Sequence, residues 1–446
     1  MKARLFGTDG VRGVAYKPPL DRATVARLGA ALAESLRRHD RPLRILLAGD
    51  TRASTADIAA WMGGSFIAAG GQAVWAGVLP TPAVSHLVRE TGTFAAGVIV
   101  SASHNPARDN GIKLVTAGGT KFPVADEHDV ERRIDEIGHE PAVAPLPTVD
   151  AGWGERYLDL LVRTLPAGAL AGQRLVVDAA NGAGSPYAGE LFSRLGAEVA
   201  LLNTRPTGHN INRGCGALHP EVLAAEVVRC GAVAGVALDG DADRAILVTG
   251  TGRVLNGDDV LLLWARALAR RGALPGAVVV ATVMSNLGLE DALREEGIRL
   301  VRCPVGDRAV WETMEREGAA LGGEQSGHVI CRHHAVTGDG LLTAVQVLAL
   351  AVVAGRDLES QADLRRYPQI QLNLRVAVRR PLAEVEELTA ATAAAEQALD
   401  GHGRVFIRYS GTEPLLRIMV EAASDALARS IADHLAAVAR EQLGSA

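Results

Sequence analysis

The sequence predicts an α/β protein in which three similar α/β units precede a smaller α+β unit at the C-terminus. Short apolar runs alternate with amphipathic stretches along most of the chain, which is typical of alternating strands and helices. Polar, glycine-rich segments follow several apolar runs, and open α/β sheets bind ligands at the carboxyl ends of their strands. Residues 369–378 instead alternate like a half-exposed strand, and the chain then ends with a strand, a loop, a strand and a helix.

Length and composition exclude several classes of protein. At roughly 100–200 residues per domain, the 446 residues suggest three or four domains. A hydrophobic content of 48% and a charged content of 22% exclude a disordered or collagen-like chain. The net charge of −5 provides no general attraction to nucleic acids or membranes, so we expect neither as a partner.

Three further features predict a reduced, cytoplasmic protein. The four cysteines have neither CxxC nor zinc-site spacing, and residues 1–12 lack the apolar core of a signal peptide. The most apolar predicted helix, Leu341–Val353, is shorter than the ~20 residues that span a bilayer. We therefore expect this helix to be buried.

The first predicted unit covers residues 1–148. We expect a strand at Arg44–Ala48, a helix at Ala56–Ala69, and a short buried strand at Gly97–Val100 that ends at a polar loop. Glu140–Val149 is rich in proline and alanine and lacks periodicity, which predicts a linker.

Three more units are predicted at residues 149–252, 253–368 and 369–446. In the second unit, the predicted strand Val233–Leu238 ends in acidic residues. The other predicted elements are the strand Arg174–Asp178, the helix near Ser185–Leu195, the strands Val278–Val283 and Leu300–Val305, and the helix Leu341–Val353.

A serine-containing loop is the first candidate for chemistry. Ser103 follows a predicted strand, Asn105 and Pro106 are typical of a helix N-cap and first helical position, and Asn110–Gly111 predicts a turn. Such loops favour phosphate, because backbone N–H groups converge there. Ser103 is thus a candidate nucleophile or phosphorylation site, and a polar turn that only caps a helix is the alternative.

An acidic cluster at Asp239, Asp241 and Asp243 is the second candidate. An EF-hand also begins with three acidic residues at alternate positions, but it requires glycine and glutamate where this chain has Arg244 and Gly250. Three carboxylates this close repel one another unless a cation neutralises them. A Mg²⁺ site is therefore favoured over a solvated acidic turn.

Two further segments carry groups that suit a phosphorylated sugar. In an extended segment, Glu324 and Ser326 would point to the same side, and a carboxylate beside a hydroxyl suits a polyol. The segment Arg408–Arg417 joins two predicted strands and combines two arginines with Ser410, Gly411 and Thr412, which suits an anion. A glycine-rich turn and a polar hairpin are the respective alternatives.

Two weaker segments and one lysine add to this set. FGTDGVRG at residues 6–13 and VGDR at 305–308 are short and carry an arginine each. Lysine occurs only at positions 2, 17, 113 and 121, and Lys113 draws attention because lysine, unlike arginine, can lose its proton. Together, the segments point to phosphoryl transfer on a phosphorylated polyol.

In their order along the chain, these segments resemble the motifs of the α-D-phosphohexomutase family. SASHNP at 101–106 is similar to the family's phosphoserine loop, and DGDADR at 239–244 to its metal loop. GEQSGH at 323–328 is similar to its sugar loop, and RYSGTEPLLR at 408–417 to its phosphate loop. The resemblance covers nearly the whole chain and implies four domains around a central active-site cleft.

Within the family, the chain is most similar to bacterial members that act on glucosamine phosphates. This similarity rests on residues 6–13, 210–212, 215–216, 305–308 and 323–328, the last including Gln325. The resemblance implies interconversion of glucosamine 6-phosphate and glucosamine 1-phosphate through a phosphoserine and a sugar 1,6-bisphosphate. The product would feed UDP-N-acetylglucosamine and cell-wall synthesis. Small-molecule sugar phosphates are the implied partners, and the sequence leaves open whether the chain forms a homodimer.

The resemblance also implies a role for individual residues. Lys113 would be a candidate general base, with its ammonium form disfavoured near Arg12 and a metal ion, and the sequence leaves open which residue is the general base. Ser101, two residues from Ser103, is itself expected to be dispensable for the chemistry. Mg²⁺ is the implied cofactor, and glucosamine 1,6-bisphosphate or another sugar bisphosphate is the implied activator. The implied catalytic residues are Arg12, Ser103, His104, Lys113 and Arg244; the implied metal ligands are Ser103, Asp239, Asp241 and Asp243; and the implied substrate-binding residues are Glu324, Ser326, Arg408, Ser410, Gly411, Thr412 and Arg417.

Three alternative functions stay open. A phosphomannomutase or phosphoglucomutase is disfavoured by Gln325, although an amino group and a hydroxyl at C2 differ little. A non-catalytic sugar-phosphate binder would be expected to have lost Ser103 or one aspartate of the metal loop, and all of them are present. A metal-dependent phosphatase would need a route for water to the phosphoserine.

Overall fold

Contacts between residues divide the computed structural model into two units. The first consists of Met1–Met284 and Leu300–Asp363, and the second of Ser285–Arg299 and Leu364–Ala446. The structure describes residues 4–7, 9–37, 42–410 and 415–444. The limits of the four predicted domains stay predictions.

The first sheet of unit one lies within residues 11–136. Its elements are β1 Val11–Val14, α1 Arg22–Leu36, β2 Arg44–Gly49, α2 Thr55–Ala68, β3 Gln72–Val78, α3 Thr81–Thr91, β4 Ala96–Val100, β5 Asp109–Thr116 and α4 Val124–Glu136. The strand order is β1-β5-β4-β2-β3, with β2 parallel to β3 and β4, and β5 antiparallel to β4 and β1. β4 is buried over its whole length, as expected for a central strand covered by helices.

The second sheet lies within residues 152–255. Its elements are α5 Gly152–Val162, β6 Arg174–Asp178, α6 Ala188–Arg194, β7 Glu198–Leu202, α7 Pro220–Cys230, β8 Ala234–Leu238, β9 Ala245–Thr249 and β10 Val254–Leu255. The strand order is β10-β9-β8-β6-β7, with β6 parallel to β7 and β8. β8 is also buried throughout, and the acidic cluster follows its carboxyl end.

The third sheet of unit one follows in residues 257–361. The elements of this part of the chain are α8 Gly257–Arg270, β11 Val278–Thr282, α9 Leu287–Glu295, β12 Arg299–Cys303, α10 Asp307–Glu317, β13 Leu321–Gly323, β14 Val329–Cys331, α11 Gly340–Val353 and α12 Leu358–Gln361. Of these elements, α9 belongs to unit two. The strand order is β12-β11-β13-β14, with β11 parallel to β13 and with β13 and β14 forming an antiparallel hairpin.

Helix α11 is the predicted apolar helix, and most of its residues are buried, which confirms the expectation. Asp339 caps it by accepting a hydrogen bond from the backbone N–H of Leu342 at 2.9 Å. Within the described ranges, none of the helices has both the length and the apolar character needed to cross a bilayer.

Unit two has its own antiparallel sheet and core. Its further elements are β15 Gln369–Arg375, α13 Glu386–Leu399, β16 Gly403–Tyr409, β17 Leu415–Ala422 and α14 Asp425–Leu443. The strand order is β15-β17-β16, and the core includes Leu374, Leu388, Ile418 and Leu435. The predicted final strand, loop, strand and helix are confirmed as β16, β17 and α14, whereas α13 has no counterpart among the predicted elements.

Two local predictions around residue 105 are wrong. A helix does not begin at Asn105 and Pro106, because the chain turns there and enters β5 at Asp109. Asn110 and Gly111 form part of β5 rather than a turn. A Cβ at position 111 would lie 2.6 Å from the Ser101 carbonyl oxygen, so the glycine permits close approach of neighbouring backbones within the sheet.

Candidate active site

Ser103 lies on the loop that connects β4 to β5, at the carboxyl end of β4. Its side chain is buried, and its backbone has a φ of 51°, in the left-handed region. The hydroxyl Oγ donates a hydrogen bond to Asp239 Oδ2 at 2.6 Å. The structure therefore brings the predicted serine and the predicted metal loop together, although they are 136 residues apart.

Asp239, Asp241 and Asp243 form one buried cluster after β8. One carboxylate oxygen from each lies within 4.8 Å of the others. Oδ1 of Asp241 and Oδ1 of Asp243 are buried, and neither has a hydrogen-bond partner among the described residues. Unpartnered carboxylate oxygens at this spacing suit a hard divalent cation with oxygen ligands.

Burial and mutual repulsion determine the charge of this cluster. Burial raises the pKa of Asp239 well above its ordinary value, and the charges of Asp243 and Asp241 raise it further. Burial also raises the pKa of Asp243, as does the charge of Asp241. Burial acts on Asp241 in the same direction, but Lys113 and a hydrogen bond from Thr81 lower the pKa of Asp241 below its ordinary value.

Lys113 lies on β5 beside this cluster and is buried. Its Nζ lies 2.9 Å from Asp241 Oδ2, 3.6 Å from Asp243 Oδ2 and 3.5 Å from Asp9 Oδ2. Burial lowers the pKa of Lys113, but the surrounding carboxylates raise it above its ordinary value. The neighbouring carboxylates therefore outweigh burial and Arg12 in their effect on the Lys113 pKa. The role of Lys113 as general base stays a prediction.

His104 and Arg12 lie close to the serine. His104 Nδ1 lies 3.3 Å from Ser103 Oγ, and burial lowers the pKa of His104 to about 4, with Arg244 and Arg12 acting in the same direction. The imidazole is therefore neutral at pH 7. Arg12 pairs with Asp9 and donates from Nη1 to the Ala102 carbonyl at 3.3 Å.

Arg244 contacts the acidic cluster and also lines a cavity. Its backbone N–H donates to Asp239 Oδ1 at 3.2 Å, and its Nε lies 3.7 Å from Asp243 Oδ1. The cavity has a volume of about 280 Å³. Its lining residues are His104, Ala217, Leu218, Asp239, Arg244, Ile246, Asn256, Gln325 and Ser326. The predicted sugar loop thus shares one cavity with the serine loop and the metal loop.

The sugar loop has a different conformation from the one expected. Residues 324–327 form a turn between β13 and β14, so Glu324 and Ser326 do not alternate along an extended strand. Glu324 Oε1 accepts a hydrogen bond from the Gly306 N–H at 3.1 Å, which connects this loop to the VGDR segment. Ser326 Oγ is buried and has no hydrogen-bond partner among the described residues.

The predicted phosphate loop belongs to unit two. Arg408 on β16 lies opposite Arg417 on β17, and burial together with the Arg417 charge lowers the pKa of Arg408. Two adjacent guanidinium groups favour an anion. Ser410 is buried, and its backbone N–H donates to the Leu415 carbonyl. The other two predicted residues of this loop, Gly411 and Thr412, lie outside the described residues.

Sequence reasoning assigned no role to the residues that support the serine loop. Asp50 and Arg52 follow β2, are buried, and form an ion pair with Nε 2.8 Å from Oδ2. Asn212 donates from Nδ2 to the Ser103 carbonyl at 2.9 Å. Their position directly after a strand could have indicated Asp50 and Arg52, because this edge of the sheet carries the other site residues.

Comparison with known proteins agrees with this architecture. Models described as phosphoglucomutase/phosphomannomutase alpha/beta/alpha domains I, II and III match residues 3–140, 155–252 and 256–367. A model of the C-terminal domain of the same proteins matches residues 372–438. The predicted class, three α/β units and a different final unit, is confirmed.

Individual relatives match over their full length. A phosphoglucosamine mutase from Solibacter usitatus is 47% identical to this chain, and the match covers 100% of both chains. The crystal structure of a phosphoglucomutase/phosphomannomutase family protein from Burkholderia thailandensis has a TM-score of 0.83 and 26% identity, covering 99% of this chain and 98% of that one. An N-acetylphosphoglucosamine mutase from Aspergillus fumigatus, solved with GlcNAc-6P and magnesium, shares the fold with a TM-score of 0.64 and 17% identity, covering 99% of this chain and 96% of that one.

Proposed function

This chain belongs to the phosphoglucomutase/phosphomannomutase family, and we propose that it interconverts glucosamine 6-phosphate and glucosamine 1-phosphate. Phosphorylated Ser103 transfers its phosphoryl group to the free hydroxyl of the substrate, which gives glucosamine 1,6-bisphosphate. The other phosphoryl group then returns to the Ser103 oxygen, and the isomeric monophosphate leaves. A covalent carrier divides the migration of phosphate into two transfers of the same kind.

One observation carries the proposal. The Ser103 hydroxyl lies 2.6 Å from Asp239 Oδ2, at the edge of three buried carboxylates. Phosphoryl transfer depends mainly on positioning and on neutralising negative charge. The contact positions the serine oxygen, and the three carboxylates would hold a cation that supplies the positive charge. A non-catalytic sugar-phosphate binder would have no use for a serine held against a metal-binding cluster.

Asp239, Asp241, Asp243 and the Ser103 oxygen are the residues that would hold Mg²⁺. The buried, unpartnered oxygens of Asp241 and Asp243 support this assignment. When bound, Mg²⁺ neutralises the charge on the phosphoryl group. Lys113 and Arg244 add positive charge from the protein at the same place, since both lie within 4 Å of Asp243.

Glu324 and Ser326 are proposed to bind the sugar hydroxyls. A carboxylate at Glu324 also favours an amino sugar, because it gains a charge-assisted hydrogen bond to a C2 ammonium group. The 47% identity to a phosphoglucosamine mutase supports the same substrate. In unit two, Arg408, Ser410 and Arg417, with Gly411 and Thr412, are proposed to bind the phosphate that does not react.

The test compares three substrates under the same conditions, with Mg²⁺ and glucose 1,6-bisphosphate as activator. We expect kcat/KM to be higher for glucosamine 6-phosphate than for glucose 6-phosphate or mannose 6-phosphate. A preference for either hexose phosphate would identify a phosphoglucomutase or phosphomannomutase instead. Release of inorganic phosphate would indicate a phosphatase, and binding without turnover would indicate a non-catalytic binder.

A further inference from the structure

The backbone of Ser103 is held from both sides. Its N–H donates to Ser101 Oγ at 2.9 Å, and its carbonyl accepts from Arg52 Nη2 and Asn212 Nδ2, each at 2.9 Å. The left-handed φ of 51° is unfavourable for a residue with a Cβ, so it persists only where the surroundings impose it. These three partners are the groups that impose it.

Of these three residues, Arg52 makes the most hydrogen bonds to the loop backbone. A guanidinium group has five N–H donors in a fixed fork, and here each finds a separate acceptor. Nε donates to Asp50 at 2.8 Å, and the two terminal nitrogens donate to backbone carbonyls of the serine loop. These carbonyls belong to Ser103, Asn105, Pro106 and Asp109. A lysine could not satisfy them, because its ammonium group has three donors and no planar fork.

Asp50 and Ser101 form a second connection to the same residue. Asp50 Oδ2 accepts from Arg52 Nε and from the Ser101 hydroxyl, the latter at 2.6 Å. Because the Ser101 hydroxyl donates to Asp50, its lone pairs face the Ser103 N–H. The Asp50 carboxylate is therefore connected to the Ser103 amide through Ser101 and to the Ser103 carbonyl through Arg52.

We propose that Arg52 and Ser101 are positioning residues, which hold Ser103 in the left-handed conformation that directs its Oγ to Asp239. Neither touches the hydroxyl that reacts, so both act through the loop backbone. This inference rests on the proposed function, and it reverses the expectation that Ser101 is dispensable. A role in stability alone would not require every contact of the Arg52 terminal nitrogens to fall on residues 103–109.

Two variants and two matched controls test the proposal. Ser101→Ala removes one hydroxyl with almost no change in volume, and Arg52→Lys keeps the charge but loses the fork. Ser65→Ala removes a buried hydroxyl that bonds to a helix carbonyl at 3.1 Å, and Arg133→Lys alters a buried arginine paired with Asp129. Both controls change a similar group away from the serine loop.

We expect Ser101→Ala and Arg52→Lys to lower kcat by about tenfold to a hundredfold, because a small misplacement of a reacting group has effects of that size. KM for glucosamine 6-phosphate should stay within about twofold, since substrate binding is not changed. Phosphorylation of Ser103 by glucose 1,6-bisphosphate should slow by a similar factor. Amide hydrogen exchange in residues 101–109 should become faster, and both controls should match the wild type.

Unchanged kcat and unchanged exchange in Ser101→Ala would overturn the proposal, even if Arg52→Lys fails to fold. Equal changes in the Ser65→Ala control would also overturn it, because they would reveal a general effect on stability. The proposed function can fail separately. If the wild type converts no sugar phosphate, hydrogen exchange of residues 101–109 still decides whether these two residues hold the serine.

Discussion

Ser103 is the single residue on which the proposed chemistry depends, because its oxygen would carry the phosphoryl group between the two halves of the reaction. Its predicted partners Asp239, Asp241 and Asp243 could be found from the sequence, since each group of residues forms a short contiguous motif. The position of Arg52 after a strand could have indicated that it lies near the site, but not its role, because it bonds to carbonyls more than fifty positions away. The direction of the Lys113 pKa could not be predicted either, because the carboxylates around its Nζ lie far from it in the sequence.

Ser103→Ala should abolish mutase turnover, with a loss of at least about 10³-fold, as is usual when a nucleophile is removed. Binding of glucosamine 6-phosphate, measured by calorimetry, should persist, because Ser103→Ala changes neither Glu324 nor Arg408. Intact-mass measurement should show one phosphate on the wild type after treatment with glucose 1,6-bisphosphate, and none on the variant. Peptide mapping that finds the phosphate on Ser101 would contradict the assignment.

Helix α11 shows how one carboxylate joins several elements of unit one. Asp339 caps the helix through Oδ1, while its Oδ2 accepts from Tyr157 on α5 at 2.9 Å and lies 3.2 Å from His86 Nε2 on α3. Asp339 and Tyr157 are both fully buried. Loss of the carboxylate would therefore leave a backbone N–H and a buried hydroxyl without a partner.

Asp339→Ala should lower the free energy of unfolding by about 2–4 kcal/mol, the sum of a lost cap and an unsatisfied buried hydroxyl. Urea denaturation monitored by circular dichroism measures this change. Asp357→Ala is the matched control, because Asp357 caps the four-residue helix α12 at an exposed position, and its loss should cost less than about 1 kcal/mol. Equal effects of the two substitutions would contradict the role given to Asp339.

Helices and strands with a strong apolar pattern could be predicted from the sequence. Segments whose conformation depends on hydrogen bonding to neighbouring strands could not. β2, β4, β8 and α11 match their predicted positions within a few residues, because burial by itself produces their patterns. The residues after Asn105 are of types typical of a helix start and a turn, but they form β5, whose conformation is determined by pairing with β4 and β1. Local preferences are weak compared with the hydrogen bonds that two neighbouring strands provide.

At the scale of the whole molecule, the buried aspartates 239, 241 and 243 concentrate negative charge inside unit one. Lys113 and Arg244 compensate only part of that charge. A bound cation would relieve the remaining repulsion and would favour the folded state over the unfolded one. Metal binding and stability should therefore be linked in this protein.

Mg²⁺ should raise the melting temperature of the metal-free protein by a few degrees, and a chelator should abolish activity until Mg²⁺ is restored. Asp243→Asn should remove this thermal response. It should not lower the stability of the metal-free protein, because burial and Asp241 already disfavour charge at Asp243. Full activity in excess chelator, or a normal thermal response of the variant, would contradict the metal assignment.

The second unit takes one of its segments, Ser285–Arg299, from the middle of the chain. Within this unit, Asn286 donates to the Tyr367 carbonyl at 2.9 Å, and the Leu287 N–H donates to Glu421. During synthesis on the ribosome, this segment emerges long before its partners, so unit two cannot complete its core until almost the whole chain has been translated. A premature stop codon near residue 363 would leave α9 without the residues it packs against, and would produce a substrate for chaperones and proteases rather than an intact first unit.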